Sequence, residues 1–279
     1  MIPIMDNHMH LQLKGQNVEA ARKFQKAGGT HLIISHMPYD EFPAAVEKNF
    51  KRTFERTLKI AEMVRTGTDL QVFATLGPYP VELLALAETL SLEEGVEIMK
   101  RGMDLAAEYV RDGKAVAIGE IGRPHFPVSK EIWEASNEIL LYAMQVAKEV
   151  PCPVVLHTES ATPEVWKNLA EMADRAGLAR DKVVKHYSPP AVLPEENLGL
   201  FPSVLSSRRN IRDALSKGTR FFMETDYIDE PSRPNVVMPP DTVPKRTMGL
   251  IQNGEMTEEQ AWKIHKENFE AVYGIELDF

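Results

Sequence analysis

Cysteine is almost missing from this chain: Cys152 is the single thiol among 279 residues. An internal disulfide is thereby excluded, and so are a thiolate zinc site and an iron–sulfur cluster. No apolar run approaches the ~18 residues that cross a bilayer. The opening Met1-Ile2-Pro3-Ile4-Met5-Asp6 has neither the basic nor the apolar region of a secretory signal, so a cytoplasmic protein with no membrane partner is expected. Positive charge is in deficit: 32 Lys and Arg stand against 41 Asp and Glu, a net charge of −9. Such a chain is a poor non-specific ligand for nucleic acid or anionic lipid. GxGxxG and GxxxxGK(S/T) do not occur, so neither a dinucleotide site nor a P-loop is indicated. There is also no low-complexity stretch or Gly/Ser linker, and residues 1–279 read as one domain.

What is present is a recurrence of short apolar runs followed by longer amphipathic ones. The short runs are 2-IPIMDNHMH-10, 31-HLIISH-36, 70-LQVFATL-76, 115-AVAIGEI-121, 153-PVVLHTE-159, 182-KVVKHY-187, 199-GLFPSVLS-206 and 220-RFFMETD-226. Most are apolar on both faces, as strands of a helix-covered parallel sheet must be. The seventh is the weakest, because Pro202 lies within it. Ser91-x-x-Glu94 and Thr257-x-x-Gln260 are capping boxes, and Thr162-Pro163 pairs an N-cap with a proline at the first helical position. Ile132, Ile139, Leu140, Ala143, Val146 and Ala147 follow the spacing of one buried helical face. Eight strands alternating with helices predict an α/β fold, a (β/α)8 TIM barrel, with an open doubly wound sheet as the alternative. Two connections, 77–92 and the proline-rich 227–245, would sit at the C-terminal rim, where lids belong.

Metal chemistry is written at the strand ends. Asp6-x-His8-x-His10 closes the first run, and side chains two apart on a strand share a face. Glu120, His157, His186 and Asp226 close the fourth, fifth, sixth and eighth. In a barrel those ends converge on one mouth. A buried carboxylate or imidazole is costly unless it is paired or metal-bound. The all-nitrogen-and-oxygen donor set admits zinc, manganese, iron, nickel, cobalt or magnesium. Six ligands exceed the three that one catalytic zinc takes, whereas two ions about 3.5–4 Å apart with a bridging carboxylate use them all. Asp6 shares a face with His8 and can orient a ligand, and Glu224 stands in the same relation to Asp226. His36 and His125 follow strands and can line the rim; Arg208 and Arg209 follow the seventh, where barrels often hold phosphate. His31 and His265 read as structural or surface residues, and Cys152 as packing at a strand base.

The ordered series Asp-x-His-x-His, Gly119-Glu120-Ile121-Gly122, two strand-end histidines and Glu224-Thr225-Asp226 resembles the TatD-like metal-dependent hydrolases, TIM barrels of the amidohydrolase superfamily. The closing Glu267-Asn268-Phe269-Glu270-Ala271-Val272-Tyr273-Gly274 resembles that family's C-terminal ending. The resemblance implies that His8, His10 and Asp226 hold one ion, His157 and His186 the second, and that Glu120 bridges them. It also implies hydrolysis, and characterised relatives include deoxyribonucleases. The substrate side departs from the family. Arg123-Pro124-His125 stands where relatives have Leu-Asp, Glu159 where they often have arginine, and His186-Tyr187-Ser188-Pro189-Pro190 where they have His-Cys-Phe-Ser-Gly.

The expected function is metal-assisted hydrolysis of a phosphoester in a small anionic substrate. Two divalent ions, zinc foremost, would activate water, and Asp226 would accept and return the proton, with Glu120 serving both ions. No GxSxG or Cys–His nucleophile competes with this reading. Arg123, His125, Glu159 and Arg208 are the candidate substrate residues, with Glu159 repelling neighbouring phosphates of a polymer. Alternatives are a deoxyribonuclease, an amide or lactone hydrolase, a three-metal phosphoesterase with the same opening motif, and a non-catalytic metal-binding barrel.

Overall fold

The computed structural model describes residues 2–39, 43, 48–233 and 236–278. Pro234, within the proline-rich 227–245 connection, lies outside the described residues. The strands are β1 Met5–His10, β2 His31–Ser35, β3 Gln71–Leu76, β4 Ala117–Gly122, β5 Val154–His157, β6 Val183–Ser188, β7 Phe201–Leu205, β8 Phe222–Glu224 and β9 Tyr227–Ile228. They form one sheet in the order β8-β7-β6-β5-β4-β3-β2-β1-β9, and every neighbouring pair is parallel. Parallel neighbours need crossover connections, and helices supply them. The last strand was not anticipated. It follows β8 after only two residues and pairs with β1, so the chain leaving β8 runs beside the first strand. The sheet is thus curled, as in a TIM-barrel-like fold.

The curl has an apolar floor. Met5, Ile33, Phe73, Ala117, Val155, Val184, Phe201 and Phe222, one from each of the first eight strands, pack into a single cluster. Phe269, Val272 and Tyr273 from the C-terminal helix complete it. The polar residues that follow along each strand are therefore lifted above this layer, toward the C-terminal ends. Pro202 sits within β7 after all, opposite Lys185. A proline removes one N–H, so the cost in a parallel ladder is one rung rather than the strand.

Helix boundaries follow the caps. The helix Leu92–Arg111 opens on the Ser91/Glu94 capping box, and Glu258–Trp262 on the Thr257/Gln260 box. Thr162 caps the helix Pro163–Ala176, whose first residue is the proline, and Ser129 caps Lys130–Glu149. The helix Arg208–Leu215 follows β7. The two long connections are not plain loops. Residues 77–92 contain a helix at Glu82–Ala87, and 227–245 hold β9 and the first turn of Thr242–Gln252. Among the described residues no helix is long and apolar enough to cross a membrane.

Buried histidines outside the mouth serve the scaffold. His265 lies 3.1 Å from the Met5 backbone nitrogen and 2.9 Å from Thr247 Oγ1, and burial pulls its imidazole down to about 3. His31 is also buried, 2.6 Å from Thr30 Oγ1. His36 was expected at a solvated rim and is instead fully buried, 2.8 Å from Thr57 Oγ1. Its position at the end of β2 is right, but the following segment and the helix Lys51–Gly67 cover it. Cys152 is buried at the base of β5, and desolvation raises its thiol to about 12.

Asn268 docks the C-terminal helix by donating to the Thr219 carbonyl at 2.7 Å and the Phe221 carbonyl at 3.1 Å. Asn268→Ala removes both bonds from a buried site and should cost about 1–3 kcal/mol of unfolding free energy. Urea denaturation of the full chain checks this, with bound metal content expected to stay as in the parent.

Candidate metal centre

Six side chains meet above the apolar floor. Glu120 Oε1 lies 3.2 Å from His8 Nε2 and 3.1 Å from His10 Nε2. Glu120 Oε2 lies 3.0 Å from His157 Nδ1 and 3.3 Å from His186 Nε2. Asp226 Oδ1 stands 3.5 Å from His10 Nε2 and 3.9 Å from His8 Nε2. All six residues proposed from the strand ends are thus brought together, and Glu120 is the hub. Among the described residues, two groups of three are close enough to share a cation: His8, His10 and Asp226, and His8, Glu120 and His186. The first matches the set expected for one ion. The second holds His8 where His157 was expected, although His157 faces the same Glu120 oxygen as His186.

Backbone geometry delivers these groups. A β-carbon on Gly119 would lie 2.6 Å from Val155 Cβ, so only glycine allows β4 this close to β5 just before Glu120. The pairing register of β1 against β2 shifts between Asp6 and Met9, so strict alternation fails there. Asp6 consequently does not reach a ligand ring. It accepts from the His8 backbone N–H at 3.1 Å, the Thr225 N–H at 3.1 Å and Thr225 Oγ1 at 2.6 Å. That carboxylate ties β1 to the segment between β8 and β9, while the Asp226 N–H donates to the His8 carbonyl at 3.0 Å. Burial raises Asp6 to about 7.

Glu224 does reach a ligand. Its Oε1 lies 3.3 Å from His186 Nδ1 and accepts the Tyr187 N–H at 2.7 Å, while its other oxygen accepts from Ser203. Burial pushes it up to about 7. Ser35 was missed, and it orients two ligands at once. Its carbonyl lies 3.0 Å from His10 Nδ1 and its Oγ 3.1 Å from His8 Nδ1. A carbonyl can only accept, so His10 Nδ1 carries the proton and Nε2 faces the carboxylates. The signal was available: Ser35 closes β2, which pairs with β1. Tyr79 was missed too. It follows β3 between two prolines, and its hydroxyl lies 3.3 Å from His157 Nε2.

The candidate substrate residues part company. His125 is exposed, with Nδ1 2.8 Å from His157 Nε2. Arg208 is exposed at the first position of the helix Arg208–Leu215. Arg123, expected as an open positive spot, is only 1% exposed. Its guanidinium holds Glu159 in two bonds, 3.1 Å from Nε and 2.7 Å from Nη2, and also reaches Asn137 and Asn168. Glu159 is therefore spent on Arg123.

The donor set fits divalent cations on evidence within the site. His8 and His10 turn their Nε2 atoms to 3.2 Å of each other. Glu120 Oε1 is buried beside both without a hydrogen-bond partner. Burial should depress the imidazole of His10, yet Asp226 and Glu120 hold it up at about 10. A proton there does for two buried carboxylates what a metal cation would do better. The three imidazoles His8, His186 and His10 outweigh burial and hold Glu120 well below the usual carboxylate range.

Residues 5–274 match the TatD related DNase family. A protein of Methanocaldococcus jannaschii, described as uncharacterised, is 40% identical over 280 residues, covering 99% of this chain and 98% of its own. A TatD homologue from Escherichia coli K12 superposes with a TM-score of 0.63 at 20% identity, over 98% of each chain. A phosphotriesterase homology protein from Escherichia coli, solved with phosphate in its active site, gives 0.65 at 14% identity, again over 98% of each.

Ser35→Ala keeps the carbonyl that orients His10 but removes the hydroxyl beside His8. Loss of such an orienting partner should weaken divalent-metal affinity about 10-fold. Competition with a chelator measures it, and parent affinity in the variant would mean that His8 is held without Ser35.

Proposed function

The chain belongs to the TatD-related DNase family, and from that premise we propose that it is a dinuclear metal-dependent hydrolase acting on the phosphoester bond of a small anionic substrate. One observation carries the reading: a buried carboxylate, Glu120, is surrounded by imidazoles from three other strands, with Asp226 at the rim. We read the curled sheet as a closed single-domain barrel whose mouth is this centre. His8, His10 and Asp226 would hold one ion, His157 and His186 the other, with Glu120 between them. Divalent ions bound there, zinc foremost, would lower the pKa of water and polarise the scissile phosphoryl oxygen.

The remaining steps belong to the protein. Asp226 is held below the usual carboxylate range because its hydrogen bond to His10 and the charges of His186 and His8 together outweigh the burial that would raise it. It is therefore ionised at neutral pH, takes the proton of the attacking water and returns it to the leaving oxygen. Ser35 keeps the rings of His8 and His10 turned inward, and the Glu224 carboxylate stands 3.3 Å behind that of His186. Tyr79 and His125 meet the substrate beside His157, and Arg208 is a more distant contact.

A small substrate is favoured by charge. A long nucleic acid needs a basic track across several phosphates. The chain carries a net charge of −9, and Arg123 is withdrawn into the wall. A cytoplasmic enzyme of small-molecule phosphoester turnover is the resulting picture.

Turnover of the metal-loaded chain should be measured on phosphomonoesters, phosphodiesters, a lactone, an amide, and single- and double-stranded DNA. A small phosphoester is expected to be cleaved fastest; faster DNA cleavage would establish the nuclease reading, and faster lactone or amide cleavage would refute the phosphoester. Asp226→Asn should retain most of its metal and lose at least about 100-fold in kcat, the range of a general base. Near-parent turnover across a pH series would remove Asp226 from that role.

A further inference from the structure

Two of the sequence's departures from its family are one contact. Arg123 follows β4 and Glu159 follows β5, and their side chains meet in a bidentate pair. A fork of two parallel bonds fixes an angle as well as a distance. The pair is not a surface ornament. Arg123 is 1% exposed, its Cζ lies 4.5 Å from the centre of the Trp133 ring, and Nη1 reaches Asn137 at 3.0 Å and Asn168 at 2.6 Å. Trp133 and Asn137 lie on the helix Lys130–Glu149, and Asn168 on Pro163–Ala176. The guanidinium is thereby anchored to two helices before it grips Glu159.

The grip begins at His157. The Arg123 backbone N–H donates to the His157 carbonyl at 2.9 Å, while the Arg123 side chain holds Glu159, two residues further on. Gly122 makes the approach possible. Its φ is +139°, and a β-carbon there would lie 2.2 Å from the His157 carbonyl oxygen. His157 is also the ligand that most needs holding, because its side chain is 15% exposed while those of His8, His10, Glu120 and His186 are 7% or less. Arg123 is buried while the Glu159 side chain is 26% exposed, and such a partly desolvated ion pair contributes little net stability, so its position rather than its energy calls for a reason.

We propose that Arg123 and Glu159 form a clamp that positions His157 for the second ion, making both of them positioning residues rather than substrate contacts. The inference rests on the dinuclear reading above. The clamp acts on the backbone that leaves the ring, at the His157 carbonyl and two residues beyond it, while the ring's Nδ1 faces Glu120. Lysine at position 123 would keep the charge and lose the fork.

The test is a divalent-metal titration of the full chain by calorimetry, using zinc alone, beside NMR of the eight histidine rings in the metal-free chain. Arg123→Lys should weaken the second ion about 10- to 100-fold, leave the first unchanged, and shift or broaden the His157 ring signals while those of His8 and His10 stay put. Glu159→Gln, which keeps the shape, should show a smaller loss of the same ion. Exchanging the partners, Arg123→Glu with Glu159→Arg, should recover part of the loss of either charge reversal alone. Parent affinity for both ions together with an unmoved His157 signal overturns the clamp. If the parent chain binds one ion only, the dinuclear reading falls, and the His157 signals in Arg123→Lys then decide the clamp by themselves.

Discussion

A carboxylate buried above an apolar floor is the constraint that orders this molecule. Glu120 is 1% exposed, and taking such a charge out of water costs several kcal/mol unless other groups compensate. Its compensation must come from neighbouring strands, because one strand cannot surround its own side chain. β1, β5 and β6 each send imidazoles to it. That demand explains the curl: only a sheet that bends round can bring β1 and β6 to one oxygen pair. It explains the polar supports as well. Ser35 meets the outward nitrogens of His8 and His10, and Glu224 stands 3.3 Å from that of His186, which leaves their inward nitrogens to face carboxylate. Asp6 works on the backbone instead, fastening β1 to the exit of β8.

Much of this was legible in the sequence, for identifiable reasons. Strand ends declare themselves when an apolar run stops on a polar residue, which is how Glu120, His157, His186 and Asp226 were found. Strands buried on both faces look like continuous apolar runs, so eight of the nine strands were readable. The ninth has two residues, Tyr227 and Ile228, and its identity depends on pairing with β1, which no local pattern encodes. Asp6 was misplaced for a related reason. Alternation predicts a shared face with His8, but a register shift intervenes, and a shift is a property of two strands rather than one. Ser35 was overlooked because half of its contribution is a backbone carbonyl, available from any residue type.

Arg123 teaches a different lesson. Arginine beside a metal mouth in an acidic chain reads naturally as an anion receptor, and glutamate beside it as a repulsive charge. Each inference treats a side chain as if it faced solvent. Once the two are in contact, the positive and negative charges cancel locally, and neither acts on a substrate at long range. Two departures from a family pattern at neighbouring strand ends are better read as a pair, since a change at one lining position alters what the adjacent position can bury.

This cancellation moves the basis of substrate choice. Under the proposed function, with Arg123 occupied, the charge that an approaching phosphate would meet is set by the metal ligands, by His125, by the more distant Arg208, and by the field of a chain with net charge −9. A polymer must find several cationic contacts along its backbone, and its affinity falls steeply with salt when those contacts are few. A ligand with one phosphate needs only one strong electrophilic centre, which six convergent nitrogen and oxygen donors are suited to build. On the proposed reading, the same carboxylate that gathers the imidazoles would also gather the charge of bound cations at one point, and a point favours a small anion over a chain of them.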